Sequence, residues 1–255
     1  MSAKTILITG VTGGFGAAMA RKFGAAGWNL ILQGRNADRL NAIIDTISGA
    51  QSITPILFDM RDDAAMRTAF EKLPALDVLV NNAGLALGLE PAQRADLNDW
   101  DEMIATNIRS LTHITRLALP NMVERATGHI INIGSVAGTY PYAGGNVYGA
   151  TKAFVHQFSL NLRADLHGTG VRVTNIEPGL AETNFSRTRF KGDAEKASSV
   201  YTGTEPLTGD DIAEAVFWTA TLPAHMNINT MEIMPTGQSF AGMQVHRRPV
   251  EGTKT

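Results

Sequence analysis

Cysteine is absent from the 255 residues. That excludes disulfides, thiolate-bound metal and a cysteine nucleophile, and it suits a reducing compartment. An excess of either charge is also missing: the formal net charge is −2, too small to draw nucleic acid or an anionic membrane. No stretch approaches the ~18 consecutive apolar residues of a membrane-spanning helix. The start, MSAKTILITG, lacks the apolar core and cleavage site of a secretory leader. No linker, repeat or low-complexity tract interrupts the chain. The expectation is a soluble cytoplasmic protein without metal, folding as one domain over residues 1–255, long enough to bury a core unaided.

What the chain does contain is alternation. Short runs rich in Ile, Leu and Val read as strands: Thr5–Thr9, Trp28–Gln33, Thr54–Phe58, Val78–Val80, His129–Ile133, Val171–Ile176 and Thr230–Met234. Little polar alternation within them suits strands buried on both faces of a parallel sheet. Helical patterns fill the gaps: Phe15–Ala26, Asp38–Ile47, Asp62–Leu73, Trp100–Met122, Val147–His167 and Asp210–Thr221. This order predicts an α/β fold, a doubly wound parallel sheet of about seven strands with right-handed crossovers. Glu182–Pro206 is polar and without period, a candidate lid, and His246–Thr255 reads as a polar tail.

The first strand runs into Gly10-Val11-Thr12-Gly13-Gly14-Phe15-Gly16 and then a helix. A helix N-terminus presents backbone amides to an anion, and glycines allow close approach. A glycine string alone can be a tight turn; between a strand and a helix it indicates a dinucleotide pyrophosphate. After the second strand stands Gln33-Gly34-Arg35-Asn36, with Arg39 one turn later and no carboxylate for a ribose hydroxyl. Arg35 matches a 2′-phosphate, which favours NADP(H) over NAD(H); the alternative is a solvated loop charge.

Tyr148 and Lys152 are four apart on a helical pattern, and Ser135 precedes the tyrosine by thirteen residues. Positions i and i+4 share a helix face. An ammonium beside a phenol lowers the phenol's pKa from ~10, so the tyrosine can exchange a proton with an alcohol or carbonyl oxygen. Ser135 can hold that oxygen. The alternative is an exposed pair with lysine stem packed on ring.

The loop Thr9-Gly-x-x-x-Gly-x-Gly16 and the Tyr148/Lys152 pair resemble the short-chain dehydrogenase/reductase family. The resemblance spans about residues 5–240. It implies the remaining site residues. Asp59 and Met60 lie near the adenine, although an Asp there can also cap a helix. Asn82, Ala83 and Gly84 form a cofactor-contacting turn. Asn107 completes the catalytic set, distorting its helix and holding a water that links the lysine to solvent; a plain solvent-facing Asn is the alternative. Pro178, Gly179 and Thr183 approach the nicotinamide, and Lys152 also binds its ribose. In oxidation Tyr148 takes the hydroxyl proton while hydride leaves the carbon.

Asn81–Ala92, Gly144–Phe154 and Asp165–Gly168 are similar to a subgroup of NADP-dependent 3-hydroxy acid (serine) dehydrogenases, which also act as malonic semialdehyde reductases, with sulfoacetaldehyde reductases as neighbours. Around Glu177–Phe185 the chain departs from the 3-hydroxy acid enzymes. Their substrates are short anionic aldehydes or hydroxy acids, so Arg187, Arg189 and Lys191 in the lid and Asn146 near Tyr148 are candidate contacts, with a solvated lid charge the alternative for Arg189. A reductase of larger neutral substrates and an inactive NADP-binding regulator are the competing classes. The resemblance also implies a homotetramer built on Val147–His167, a helix apolar on more than one face, which fits either core burial or a partner subunit.

Overall fold

The computed structural model describes residues 3–240; the expected tail at His246–Thr255 lies outside the described residues. Seven strands form one parallel sheet: β1 (Thr5–Ile8), β2 (Asn29–Gly34), β3 (Ser52–Leu57), β4 (Val78–Asn81), β5 (Gly128–Ile133), β6 (Val171–Pro178) and β7 (Thr230–Ile233). Their spatial order is β3-β2-β1-β4-β5-β6-β7, every pair parallel. Successive side chains alternate between faces. Ile6 and Ile8 enter one core cluster with Leu30, Leu32, Val78 and Val80, while Leu7 enters the other with Ile31, Leu79 and Ile130. Both faces are therefore buried, and apolar residues are needed at every position of the central strands.

The helices are α1 (Gly14–Ala25), α2 (Ala37–Ile44), α3 (Asp63–Phe70), α4 (Leu97–Ile104), α5 (Ser110–Glu124), α6 (Asn146–Asp165), α7 (Phe185–Arg189), α8 (Ala194–Ser199) and α9 (Gly209–Thr221). α1 and α9 cover the first face through Met19, Phe23, Ile212 and Val216; α3, α5 and α6 cover the second through Met66, Ile114, Met122 and Leu162. Side-chain caps mark several starts. Asn36 accepts from Arg39 N, Asp62 from Ala64 N and Ala65 N, and Thr208 with Asp211 forms a reciprocal capping box. Among the described residues no helix is long and apolar enough to cross a membrane.

Two expectations need correction. The expected strand Thr54–Phe58 runs from Ser52 to Leu57 and is largely exposed, because β3 is an edge strand of the sheet. Pro55 fits there, since an edge tolerates a residue without an amide hydrogen. The expected helix Trp100–Met122 is two helices joined by a π segment at Ala105–Arg109. π turns interrupt α-helices at functional positions, and this one contains Asn107. Beyond β6, the expected lid Glu182–Pro206 contains α7 and α8. The sequence of strands turns outward from β1 in both directions, so a crevice opens at the strand C-termini between β1 and β4.

Candidate active site

The crevice is a cleft of about 830 Å³. At one end lies the glycine loop. Gly10 has φ +65°, and a Cβ there would stand 2.8 Å from Ala83 Cα, so only glycine fits. Its amide donates to Gln33 Oε1 at 2.9 Å, and Gln33 Nε2 donates onward to Phe58 O at 2.6 Å. Thr9 Oγ1 accepts from the amides of Asn82 and Ala83, and Asn82 Nδ2 donates to Thr9 O at 2.7 Å. These bonds lock the loop to the Asn82–Gly84 turn. No side chain caps α1 at Gly13, and its first turn carries no acidic residue, which leaves that helix end suited to an anion. Gly10, Thr12, Gly14 and Phe15 line the cleft, as do Asn82, Ala83 and Gly84. Gly16 is buried inside α1.

Arg35, Arg39, Asp59 and Met60 line the adjoining region. Arg35 Nη1 stands 3.6 Å from Asp59 Oδ2, and Arg61 meets the same oxygen at 2.8 Å. Hydrogen bonding and charge from Arg61 lower the Asp59 pKa to about 2. The helix cap considered for Asp59 is made by Asp62.

Ser135, Tyr148, Lys152, Pro178, Gly179 and Thr183 line the opposite end. Ser135 caps a 3₁₀ turn, its Oγ accepting from Ala137 N at 3.1 Å. α6 carries Tyr148 and Lys152, both buried. Lys152 Nζ donates to Ile133 O at 2.8 Å and lies 5.9 Å from the Tyr148 ring centre. Burial pushes Tyr148 up to about 12, against lowering by the Ser135 hydroxyl and the Arg189 charge. Burial also brings Lys152 down to about 8. The charge that lowers the phenol here is that of Arg189, and desolvation outweighs it.

Asn107 is 2% exposed, which removes the solvent-facing alternative. Its Oδ1 accepts from Leu85 N at 2.9 Å, and its Nδ2 donates to Leu85 O at 2.8 Å and Thr151 Oγ1 at 3.1 Å. A Cβ on Gly84 would lie 3.2 Å from Asn107 Oδ1 and 3.7 Å from Lys152 Nζ. Asn107 thus stands behind the Gly84 turn, close to the lysine, rather than on the cleft wall.

Of the candidate substrate contacts, Asn146 faces elsewhere. Its Nδ2 donates to Glu90 O and its Oδ1 accepts from Val147 N, so the amide is spent on its own helix start and on Leu89–Pro91. Arg189 is drawn over Tyr148. Its guanidinium carbon lies 5.0 Å from the Tyr148 ring and 5.2 Å from Phe185, Nη2 donates to Tyr142 Oη at 2.8 Å, and Nε is buried with no partner among the described residues. Gly88 N donates to Arg189 O at 3.0 Å, and Lys191 Nζ pairs with Asp99 at 2.9 Å. Arg187 lines the cleft. Sequence reasoning missed Gln33, Arg61, Tyr142 and Phe185. Only Gln33 had a readable signal, a polar residue ending an apolar strand.

The description "short chain dehydrogenase" belongs to the family model that matches residues 4–194. The NADP-dependent 3-hydroxy acid dehydrogenase YdfG of Salmonella typhimurium is 59% identical over 247 residues, 95% of this chain and 99% of that protein. The serine 3-dehydrogenase of Agrobacterium fabrum is 51% identical over 247 residues, 95% and 98% of the two chains. A solved closed form of serine dehydrogenase complexed with NADP+ superposes with TM-score 0.93 at 55% identity, covering 96% of this chain and 100% of that one. With the glycine loop, the Ser135–Tyr148–Lys152 cluster and the π turn at Asn107 in place, the chain belongs to the short-chain dehydrogenase family.

Proposed function

We propose that this protein catalyses reversible hydride transfer between NADP(H) and short 3-hydroxy acids or their semialdehydes, a class that includes serine, 3-hydroxyisobutyrate and malonic semialdehyde. It is an NADP(H)-dependent oxidoreductase. Arg35 at the adenosine end suits a 2′-phosphate, and the uncapped start of α1 suits a pyrophosphate. The observation that carries the substrate class is Arg189, a guanidinium 5.0 Å from the catalytic ring with a buried, unpartnered Nε. Buried donors of this kind seek a charged acceptor. The reading requires the carboxylate of a two- or three-carbon substrate to meet this guanidinium while the carbonyl faces Tyr148.

The cofactor supplies hydride at nicotinamide C4 when bound; the protein's own groups manage the oxygen. In the reductive direction the Tyr148 phenol, protonated at neutral pH with a pKa of about 12, donates its proton to the carbonyl oxygen as the carbon accepts hydride. Ser135 Oγ donates to the same oxygen and stabilises charge developing there. In this reading Lys152, with a pKa of about 8, returns the proton. Oxidation runs the same steps backwards.

The test is a kcat/KM panel with NADPH on malonic semialdehyde, methylmalonate semialdehyde, sulfoacetaldehyde and a neutral aldehyde of equal length. The anionic aldehydes should exceed the neutral one, and Arg189→Ala should erase that advantage, roughly 10- to 100-fold for a hydrogen bond to a charged group. A neutral aldehyde turned over as well as the anionic ones would end the proposal. A sulfonate carries the same charge, so a sulfoacetaldehyde value above both carboxylates would make that aldehyde the substrate. Exposed Phe154 and Leu160 on α6, with Trp218 on α9, support self-association, and the homotetramer is tested by light scattering on the purified protein.

A further inference from the structure

Asp59 stands between two arginines and does not treat them alike. Arg61 meets it as a fork: Nε to Oδ1 at 3.0 Å, Nη2 to Oδ2 at 2.8 Å, and the Arg61 backbone amide to Oδ1 at 2.9 Å. Arg35 Nη1 approaches Oδ2 only to 3.6 Å, beyond hydrogen-bond reach. Arg61 is itself braced. Glu102 Oε1 on α4 holds its Nη1 at 3.1 Å, and its carbonyl accepts from Arg109 Nη2 at 2.9 Å. Without Arg61, the Asp59 carboxylate would turn to Arg35, cancel its charge and repel any phosphate placed beside it. A bidentate guanidinium–carboxylate pair is the strongest way to prevent that, because both oxygens are engaged in a fixed plane.

We infer that Arg61 is a positioning residue for cofactor choice: by engaging both oxygens of Asp59 it keeps the half-exposed Arg35 guanidinium from hydrogen-bonding to that carboxylate, so that its donors can meet the 2′-phosphate of NADP(H). The inference rests on Arg35 as the 2′-phosphate contact. Arg61 need not touch the cofactor; it sets the charge that Arg35 presents. The same pairing explains how a carboxylate that would repel a phosphate persists beside a phosphate site.

Two adenosine fragments isolate the effect by calorimetry on the whole protein. Adenosine 2′,5′-bisphosphate carries the 2′-phosphate; 5′-AMP lacks it. Arg61→Gln should weaken the bisphosphate roughly 5- to 30-fold and 5′-AMP by less than about twofold. Arg61→Lys, which keeps the charge but not the fork, should fall between wild type and Arg61→Gln. In an Asp59→Asn background, adding Arg61→Gln should no longer discriminate between the fragments, since no carboxylate remains to capture Arg35. Equal loss of both fragments in Arg61→Gln, or selective loss that survives Asp59→Asn, overturns the inference by showing a structural role or direct contact. Arg35→Ala separates the two levels. If it does not selectively weaken the bisphosphate, the Arg35 assignment falls. If it does and Arg61→Gln does not, the role of Arg61 alone falls.

Discussion

Asn107→Ala tests whether the π turn is held by the site or merely accompanies it. The side chain makes three hydrogen bonds, two of them to the backbone amide and carbonyl of buried Leu85. Truncation leaves both Leu85 groups without these partners, and a buried unsatisfied group costs about 1–3 kcal/mol. The sum is roughly 2–6 kcal/mol. In a chain of this size each kcal/mol lowers Tm by about 2–4 °C, so a fall of about 4–24 °C is expected in thermal unfolding followed by circular dichroism. The π segment at Ala105–Arg109 also loses the bonds that favour it over a regular α-helix. The turn at Gly84, packed against Asn107 and Lys152, then shifts, and kcat for NADPH oxidation should fall at least tenfold while NADPH affinity changes less. Asn107→Asp keeps the acceptor and loses the donors, and should lie between. A Tm within about 2 °C of wild type would refute the hydrogen-bond argument. A full drop in Tm with normal kcat would refute the link to the catalytic end.

Tyr148→Phe should lower kcat by roughly 10²-fold or more while NADPH still binds by fluorescence titration; residual activity above about a tenth of wild type excludes the phenol as the proton carrier. Lys152 loses its proton near 8 when folded against 10.5 ordinarily, so between those values the unfolded chain binds more protons and stability rises with pH. Relative to Lys152→Met, wild-type stability by urea titration should rise by roughly 3 kcal/mol across that window. The raised Tyr148 value acts oppositely between 10 and about 12, and a flat difference between pH 8 and 10.5 would contradict the buried ammonium. Asp99→Asn releases Lys191, the side-chain ion pair between the segment after α7 and the body of the protein. Such a pair is worth up to about 1 kcal/mol, so tryptic cleavage at Arg187, Arg189 or Lys191 should quicken by up to about fivefold, and unchanged cleavage would show the pair is not a latch.

How far the chain could be read follows from the range of each interaction. The central strands were legible because burial on both faces requires apolar residues at consecutive positions, and β1, β2, β4, β5 and β6 appear within a residue or two of where the pattern put them. β3 was less so, since an edge strand is freed from that requirement and its exposed face looks like loop. The cofactor loop and the Tyr148–Lys152 pair are local in sequence, and local spacing fixes their geometry. The continuous helix expected over Trp100–Met122 failed because the π turn is held by Leu85 and Thr151, residues distant in the chain that no helical period registers. The same limit hid Arg61 and the surroundings of Arg189, which the sequence offered only as a candidate contact. Arg61 is two residues from Asp59, yet its meaning depends on Arg35 arriving from another strand and Glu102 from another helix. Arg189 reads as a lid charge until Gly88, Tyr142 and Phe185 gather around it and set it over Tyr148. Charge in a short polar segment has no period to betray its direction, so its partners come only from the fold. Burial acts likewise: the i, i+4 spacing correctly brings Lys152 beside Tyr148, but the sign of the net shift on the phenol is set by desolvation, which depends on everything packed around α6.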